Sequence, residues 1–205
     1  HCATSHREYA KLHTFKDLHD KVAPIVEALL ERSDEVTGVP GMSKQYTKIY
    51  QDAEGFGACV HTMRYGLFDG NVTGSKGGQP VAPLMGNIKA YDGGAGDYQM
   101  GPLTFMLNYP DHCVLYRFLP KSLTETDVEL VWFVRGDAVE GVDYQREDLI
   151  WLWDHTTKED EYIILRNNAG VNSRFFEPGP YHPEFEATLQ KFVGWYLHTL
   201  EHVTG

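Results

Sequence analysis

The sequence predicts an α+β domain in which a curved antiparallel sheet packs against a long C-terminal helix. Strand-like runs are grouped in the middle of the chain, and helical periodicity dominates its last third. The chain has 205 residues, of which 42% are hydrophobic and 23% charged, the balance of an ordinary globular protein. We therefore expect a single domain over residues 1–205.

The first half is predicted to contain a helix, strands and a long loop. Apolar residues recur at helical intervals between Thr14 and Ser33, and a Gly-Val-Pro-Gly sequence ends that helix. The segment from Tyr46 to Tyr65 favours strands. Residues 66–101 are crowded with glycine, which predicts either a loop that covers a substrate or an ordinary insertion.

Three further strands and two helices are predicted in the second half. The strand-like runs are rich in β-branched and aromatic residues and are separated by turn sequences. The apolar residues of the final helix fall on one stripe, which predicts that this helix packs on the sheet and encloses an apolar cavity. The predicted strands are Leu103 to Asn108, His112 to Leu119 and Val128 to Arg135, and the helices are Asp143 to about Asn168 and Pro183 to about Val203.

Composition excludes several classes of partner. The formal net charge is −11 and no run is rich in Lys or Arg, so nucleic acid and anionic membranes are not expected to bind. No apolar stretch approaches the ~20 residues that span a bilayer, and no signal peptide is visible. The three cysteines, Cys2, Cys59 and Cys113, form no C-x-x-C pair. We expect a protein of the reducing cytoplasm.

His1 and His6 are candidate metal ligands. They are separated by about 1.4 helical turns, which places both rings broadly on one side of a helix. Two imidazoles and one carboxylate form the facial triad that holds Fe(II) with open positions. Spacing does not choose the carboxylate among Glu159, Asp160 and Glu161. The apolar residues 162–165 that follow Asp160 predict that this helix enters the core.

Two blocks of sequence resemble Rieske non-haem iron oxygenase large subunits. His1-Cys2-Ala3-Thr4-Ser5-His6 resembles their iron-binding segment, and Glu159-Asp160 with the residues from Asn168 to Tyr181 resembles their closing block. The resemblance implies a helix-grip (START/Bet v 1-like) domain with one mononuclear Fe(II) held by His1, His6 and Asp160. Asn168 stands where many relatives carry Gln, so we treat it as a residue that supports the ligands.

The resemblance also implies an activity. Family members are terminal oxygenases that activate O2 to hydroxylate or demethylate a small organic substrate, either an aromatic or a quaternary ammonium compound. The closing block resembles the betaine- and choline-type mono-oxygenases more than the ring dioxygenases. A trimethylammonium group could be caged by cation–π contacts with Tyr98, Phe105, Tyr116 and Trp132.

Electron supply is the part of the implied activity that this chain lacks. The C-x-H and C-x-x-H motifs that together bind the family's 2Fe–2S cluster do not occur as a pair here. The sequence begins at His1 inside a motif, and we expect the cluster domain to be missing from it. The implied partners are a ferredoxin and/or a flavin reductase, and the implied assembly is a homotrimer.

Three alternatives remain open at the level of sequence. A non-enzymatic helix-grip domain that binds lipids or other small molecules would need no metal. A zinc hydrolase could use two His and one Asp, with a general base beside the bound water. An oxygenase subunit that has lost its metal would serve only in assembly.

Overall fold

The computed structural model describes residues 2–13, 24, 27–43, 46–48, 60–68, 70–183 and 186–203. Within them, six antiparallel strands form one sheet in which neighbours in sequence are neighbours in space. The strands are β1 (Tyr46–Lys48), β2 (Val60–Gly66), β3 (Gly94–Met100), β4 (Thr104–Asn108), β5 (Cys113–Pro120) and β6 (Thr126–Phe133).

Five helices have described bounds, and residues 27–31 are helical as well. Both predicted C-terminal helices are confirmed with ends shifted by a few residues. The helix predicted between Thr14 and Ser33 lies largely outside the described residues. The helices are α1 (Cys2–Ser5), α2 (Arg7–Leu12), α3 (Ser33–Thr37), α4 (Arg146–Val171) and α5 (Ala187–Val203).

The core lies between one face of the sheet and helices α2 and α4. Alternation along the strands turns Leu107 of β4 and Val114 of β5 toward that face, where Leu152 and Trp153 of α4 meet them. Leu12 of α2 belongs to the same buried cluster. The α+β class is therefore confirmed. The described side chains of α5 contribute none of the buried cluster, so packing of the final helix on the sheet, as in a helix grip, stays a prediction.

The glycine-rich segment 66–101 differs from the predicted loop. Seven residues near its end, Gly94–Met100, form β3, which pairs with both β2 and β4. The preceding part is fastened to buried Asp111, which accepts hydrogen bonds from the Thr73 hydroxyl and the Val81 amide. A segment held by buried hydrogen bonds is a poor candidate for a moving substrate cover.

The second half of α4 also differs from the sequence-based prediction. Tyr162 and Leu165 are 56% and 62% exposed, so the apolar run after Asp160 does not enter the core. Helix α4 is anchored instead by its first half, where Leu149, Leu152 and Trp153 are buried. No described helix is both long enough and apolar enough to cross a membrane.

Candidate metal site

His6 is the buried centre of the candidate site. It stands between α1 and α2, where it is the N-cap residue of α2, and it is only 3% exposed. Its Nε2 atom lies 2.9 Å from Oδ1 of Asp160. Its Nδ1 atom lies 3.0 Å from Oε2 of Glu159. One imidazole therefore faces two adjacent carboxylates with its two ring nitrogens.

Helix geometry explains how two neighbouring residues reach opposite sides of one ring. Successive residues of an α-helix point about 100° apart, so Glu159 and Asp160 approach His6 from different directions. Helix α4 is fixed against the sheet less than two turns earlier, through buried Trp153 and Thr156. Helix α2 is fixed by buried Leu12. Packing of the two helices thus determines the contact between the three polar side chains.

The donor atoms fit a first-row metal ion. Two ligands at right angles on a metal, with bonds of about 2.1 Å, lie roughly 3 Å apart. The separation of 2.9 Å between His6 Nε2 and Asp160 Oδ1 matches this spacing. His1 lies outside the described residues, so the structure brings together two of the three donors predicted from the sequence. The third donor stays a prediction.

Glu159 has a position that the sequence did not reveal. A histidine that binds a metal through one nitrogen usually donates the N–H of the other to a carboxylate, which fixes the ring. Glu159 occupies that place beside His6 Nδ1. Its other oxygen lies 3.4 Å from Nε2 of His155, whose ring stacks on Trp151. Adjacency to Asp160 was the only available signal, and it did not distinguish Glu159 from exposed Glu161.

Asn168 lies away from this contact. It is exposed two helical turns beyond Asp160, and its Oδ1 accepts a hydrogen bond of 2.9 Å from Nδ2 of Asn172. Eight residues of helix correspond to roughly 12 Å. The described contacts of Asn168 therefore belong to the end of α4, and support of the ligands by this residue stays a prediction.

An aromatic wall adjoins the carboxylates. The rings of Phe105 and Tyr116 stack with centroids 4.5 Å apart, and Phe118 lies 5.7 Å from Phe105. The Tyr116 hydroxyl lies 2.6 Å from the hydroxyl of Thr157, one turn before Asp160. Burial raises the pKa of Tyr116 well above its usual value, and the Asp160 carboxylate adds to this shift. The phenol therefore stays neutral.

The predicted aromatic cage is wrong in one member. Strand register places Tyr98 opposite Met106, and thus on the sheet face away from Phe105 and Tyr116. Tyr98 instead lines an apolar cavity of about 630 Å³ on that other face. The sheet separates this cavity from His6 and Asp160, so it is not the space beside the candidate metal site.

Comparison with known proteins decides the family. Residues 1–202 match the family model described as ring hydroxylating alpha subunit (catalytic domain). The chain belongs to this family. The resemblance to Rieske oxygenase large subunits is therefore confirmed over nearly the whole sequence.

Two relatives of the same name are similar to most of this chain. The chain is 32% identical over 197 residues to the glycine betaine monooxygenase oxygenase subunit of Pseudomonas aeruginosa (strain UCBPP-PA14), a match that covers 96% of this chain. It is 34% identical over 146 residues, 71% of this chain, to the protein of the same name from Chromohalobacter salexigens. The matched segments span 45% and 33% of those two relatives.

Proposed function

We propose that this chain is the iron-binding catalytic domain of a terminal oxygenase that hydroxylates or demethylates a small quaternary ammonium compound. The observation that carries the proposal is the approach of His6 Nε2 to Asp160 Oδ1 at 2.9 Å, in a chain of this family. The proposed ligands of a single Fe(II) are His1, His6 and Asp160. Iron with open coordination positions supplies the activation of O2.

The protein's own part is to hold the ligands and to limit water. His6 is nearly inaccessible to solvent, and Glu159 lies 3.0 Å from Nδ1, where a carboxylate accepts the ring proton and orients a histidine whose Nε2 binds a metal. The aromatic wall of Phe105, Tyr116 and Phe118 lies on the face of the sheet toward α4. A dry, apolar surface beside a metal strengthens electrostatic interactions and suppresses side reactions.

The chemistry of that wall and the names of the relatives support the proposed substrate class. Aromatic faces attract a trimethylammonium group, which has no N–H and cannot form a conventional hydrogen bond. Phe105, Tyr116 and Trp132 share the sheet face toward α4, and we assign them to this contact. Tyr98 is excluded by its place on the other face. The matched relatives are named for glycine betaine. We propose an aromatic compound as the alternative substrate.

Assembly and electron supply are further parts of the proposal. We assign the electrons to a 2Fe–2S cluster outside this sequence, reduced by a ferredoxin and/or a flavin reductase. A cytoplasmic homotrimer with a helix-grip catalytic domain is the proposed assembly. Exposed apolar side chains on α4 and α5, including Ile164, Leu165, Leu197 and Leu200, support burial of this surface in a larger protein.

The experiment is turnover by the full-length protein with its reductase, measured as O2 uptake and formaldehyde release. Demethylation places one oxygen atom in formaldehyde and the other in water, and it consumes two electrons. Glycine betaine should be demethylated, and Asp160→Ala should abolish turnover. Absence of both iron and turnover, with retained binding of apolar ligands, would support the non-enzymatic alternative instead.

A matched ligand pair tests the cation–π contact. In 3,3-dimethylbutanoate a neutral tert-butyl group replaces the trimethylammonium group of glycine betaine at nearly the same size. Cation–π attraction of ~0.5–2 kcal/mol predicts that glycine betaine binds about 2- to 30-fold more tightly. Phe105→Leu should reduce this preference. Equal binding of the two ligands would contradict the proposed substrate class without affecting the iron site.

A further inference from the structure

A second cluster of metal-binding side chains lies in the last turns of α5. His198, Glu201 and His202 each offer one ligand atom, and these atoms all lie within 4.8 Å of one another. Among the residues that the structure describes, one group of three or more His, Cys, Asp or Glu side chains has its ligand atoms this close together, and it is this cluster. None of the three takes part in the core or in the candidate iron site.

Helical spacing brings the three donors together. Residues three and four apart on a helix lie on the same face, so Glu201 and His202 both stand beside His198. The rings of His198 and His202 are 4.1 Å apart between centroids. Donors on a tetrahedral metal ion are roughly 3.3 Å apart, so rotation of exposed side chains is enough to close the site.

A hydrogen bond selects the tautomer of His202 that can bind a metal through Nε2. Its Nδ1 atom lies 2.7 Å from the backbone carbonyl oxygen of His198. A carbonyl oxygen only accepts, so Nδ1 carries the proton and Nε2 presents its lone pair. The same arrangement orients histidine ligands at metal sites, where the nitrogen that does not bind the metal is hydrogen-bonded.

The local charge also favours a cation. Helix α5 ends at Val203, so the cluster lies in its last turns, where the partial negative charge of the helix dipole is concentrated. The carboxylate of Glu201 adds a full negative charge. His198 is partly buried and the other two side chains are exposed, which leaves the site open to ions from solvent.

We infer that His198, Glu201 and His202 form a second metal site that takes Zn²⁺ or Cu²⁺. Two imidazoles and one carboxylate suit both ions, and divalent ions bind such donors in the order Fe²⁺ < Co²⁺ < Ni²⁺ < Cu²⁺, with Zn²⁺ below Cu²⁺. The site is chemically distinct from the iron site because it is open to solvent and built on a single helix. Its metal would tie together the last two turns of α5.

The test is Zn²⁺ binding to the metal-free chain, measured by titration calorimetry in four forms. The forms are wild type, Asp160→Ala, the double variant His198→Gln/His202→Gln, and the combination of all three changes. Wild type should bind two Zn²⁺, each of the first two variants one, and the combined variant none. His182→Gln, a substitution of another exposed histidine, is the matched control and should bind two. Unchanged stoichiometry in the double variant would overturn the inference.

A spectroscopic readout separates metal binding at this site from a general effect on the helix. With ¹⁵N-labelled histidine, Zn²⁺ should shift the Nε2 resonance of His202 and leave Nδ1 protonated. Far-UV circular dichroism should show that the double variant keeps its helix content. A Zn²⁺-induced shift at His182 in place of His198 and His202 would also contradict the assignment.

Discussion

Oε2 of Glu159 lies 3.0 Å from Nδ1 of His6, on the side of the ring that faces away from Asp160. The carboxylate next to the proposed iron ligand thus fixes the orientation of another proposed ligand. Residues that orient a ligand in this way typically change metal affinity by 10- to 100-fold when they are removed.

Removal of this carboxylate should weaken iron binding without destroying it. Glu159→Ala should reduce Fe(II) affinity by about 10- to 100-fold, because the His6 ring loses the acceptor that orients it. Anaerobic Fe(II) titration measures this change. Glu161→Ala removes a neighbouring exposed carboxylate and should leave affinity unchanged. If the two variants bound iron alike, the orienting role of Glu159 would be wrong.

Buried Asp111 should be a major determinant of stability. Burial alone would raise its pKa, but hydrogen bonds from His112 and Thr73 and from the Val81 amide outweigh this and hold the pKa below its usual value. Asp111→Ala leaves these donors unsatisfied and should cost about 3–5 kcal/mol in urea denaturation. Asp127→Ala, which breaks an exposed ion pair with Lys121, should cost about 1 kcal/mol or less. Equal losses would contradict this account.

Strands could be predicted where residue composition and the flanking turn sequences agree. They could not be predicted where a strand contains glycines that are needed for close packing. Strands β4 to β6 carry aromatic and β-branched residues between turn sequences, so their order follows from the sequence. Strand β3 begins Gly-Ala-Gly and resembles a loop. A Cβ at Gly94 would overlap the guanidinium of Arg64, which is paired with Asp92. Glycine is needed there for close approach, and no sequence pattern records that contact.

Two residues of the candidate site could be named from the sequence, but the geometry of the site could not. His6 and Asp160 were assigned from the resemblance to a family, and the structure brings them together. The apolar run after Asp160 predicts a helix that enters the core, but Tyr162 and Leu165 are exposed. The role of Glu159 depends on a contact across 153 positions in sequence. Local spacing carries no information about such a contact.

His13 should make the protein sensitive to acid. Burial lowers its pKa to about 4, and its Nε2 accepts the hydroxyl proton of Tyr109 at 2.9 Å. Below its ordinary pKa of 6.5, the unfolded chain takes up a proton that the folded chain does not accept until about pH 4. The free energy of unfolding should therefore fall by roughly 3 kcal/mol over this interval.

Comparison of pH profiles isolates this contribution. His13→Gln has no titrating group at this position, so its free energy of unfolding should fall less steeply between pH 6.5 and pH 4 than that of the wild type. Urea denaturation at several pH values measures both slopes. Identical slopes would mean that His13 is not the group responsible.

Gly74 should tolerate no side chain. A Cβ at this buried position would overlap the ring of Tyr109, whereas a Cβ at Gly136 would meet open space. Gly74→Ala should therefore cost about 1–3 kcal/mol through overpacking. Gly136→Ala should change stability by less than about 1 kcal/mol. Thermal denaturation of the two variants compares them directly, and equal melting temperatures would contradict the packing seen around Tyr109.

The central claim is that His6 and Asp160 belong to one iron site, and iron content tests it most directly. The chain is loaded anaerobically with Fe(II) in the His198→Gln/His202→Gln background, which removes the second candidate site. Its iron is then compared with that of the same chain carrying Asp160→Ala or the control change Glu161→Ala. We predict nearly one iron per chain in the background and in the Glu161→Ala form, and almost none with Asp160→Ala. Equal iron content in all three forms would contradict the account.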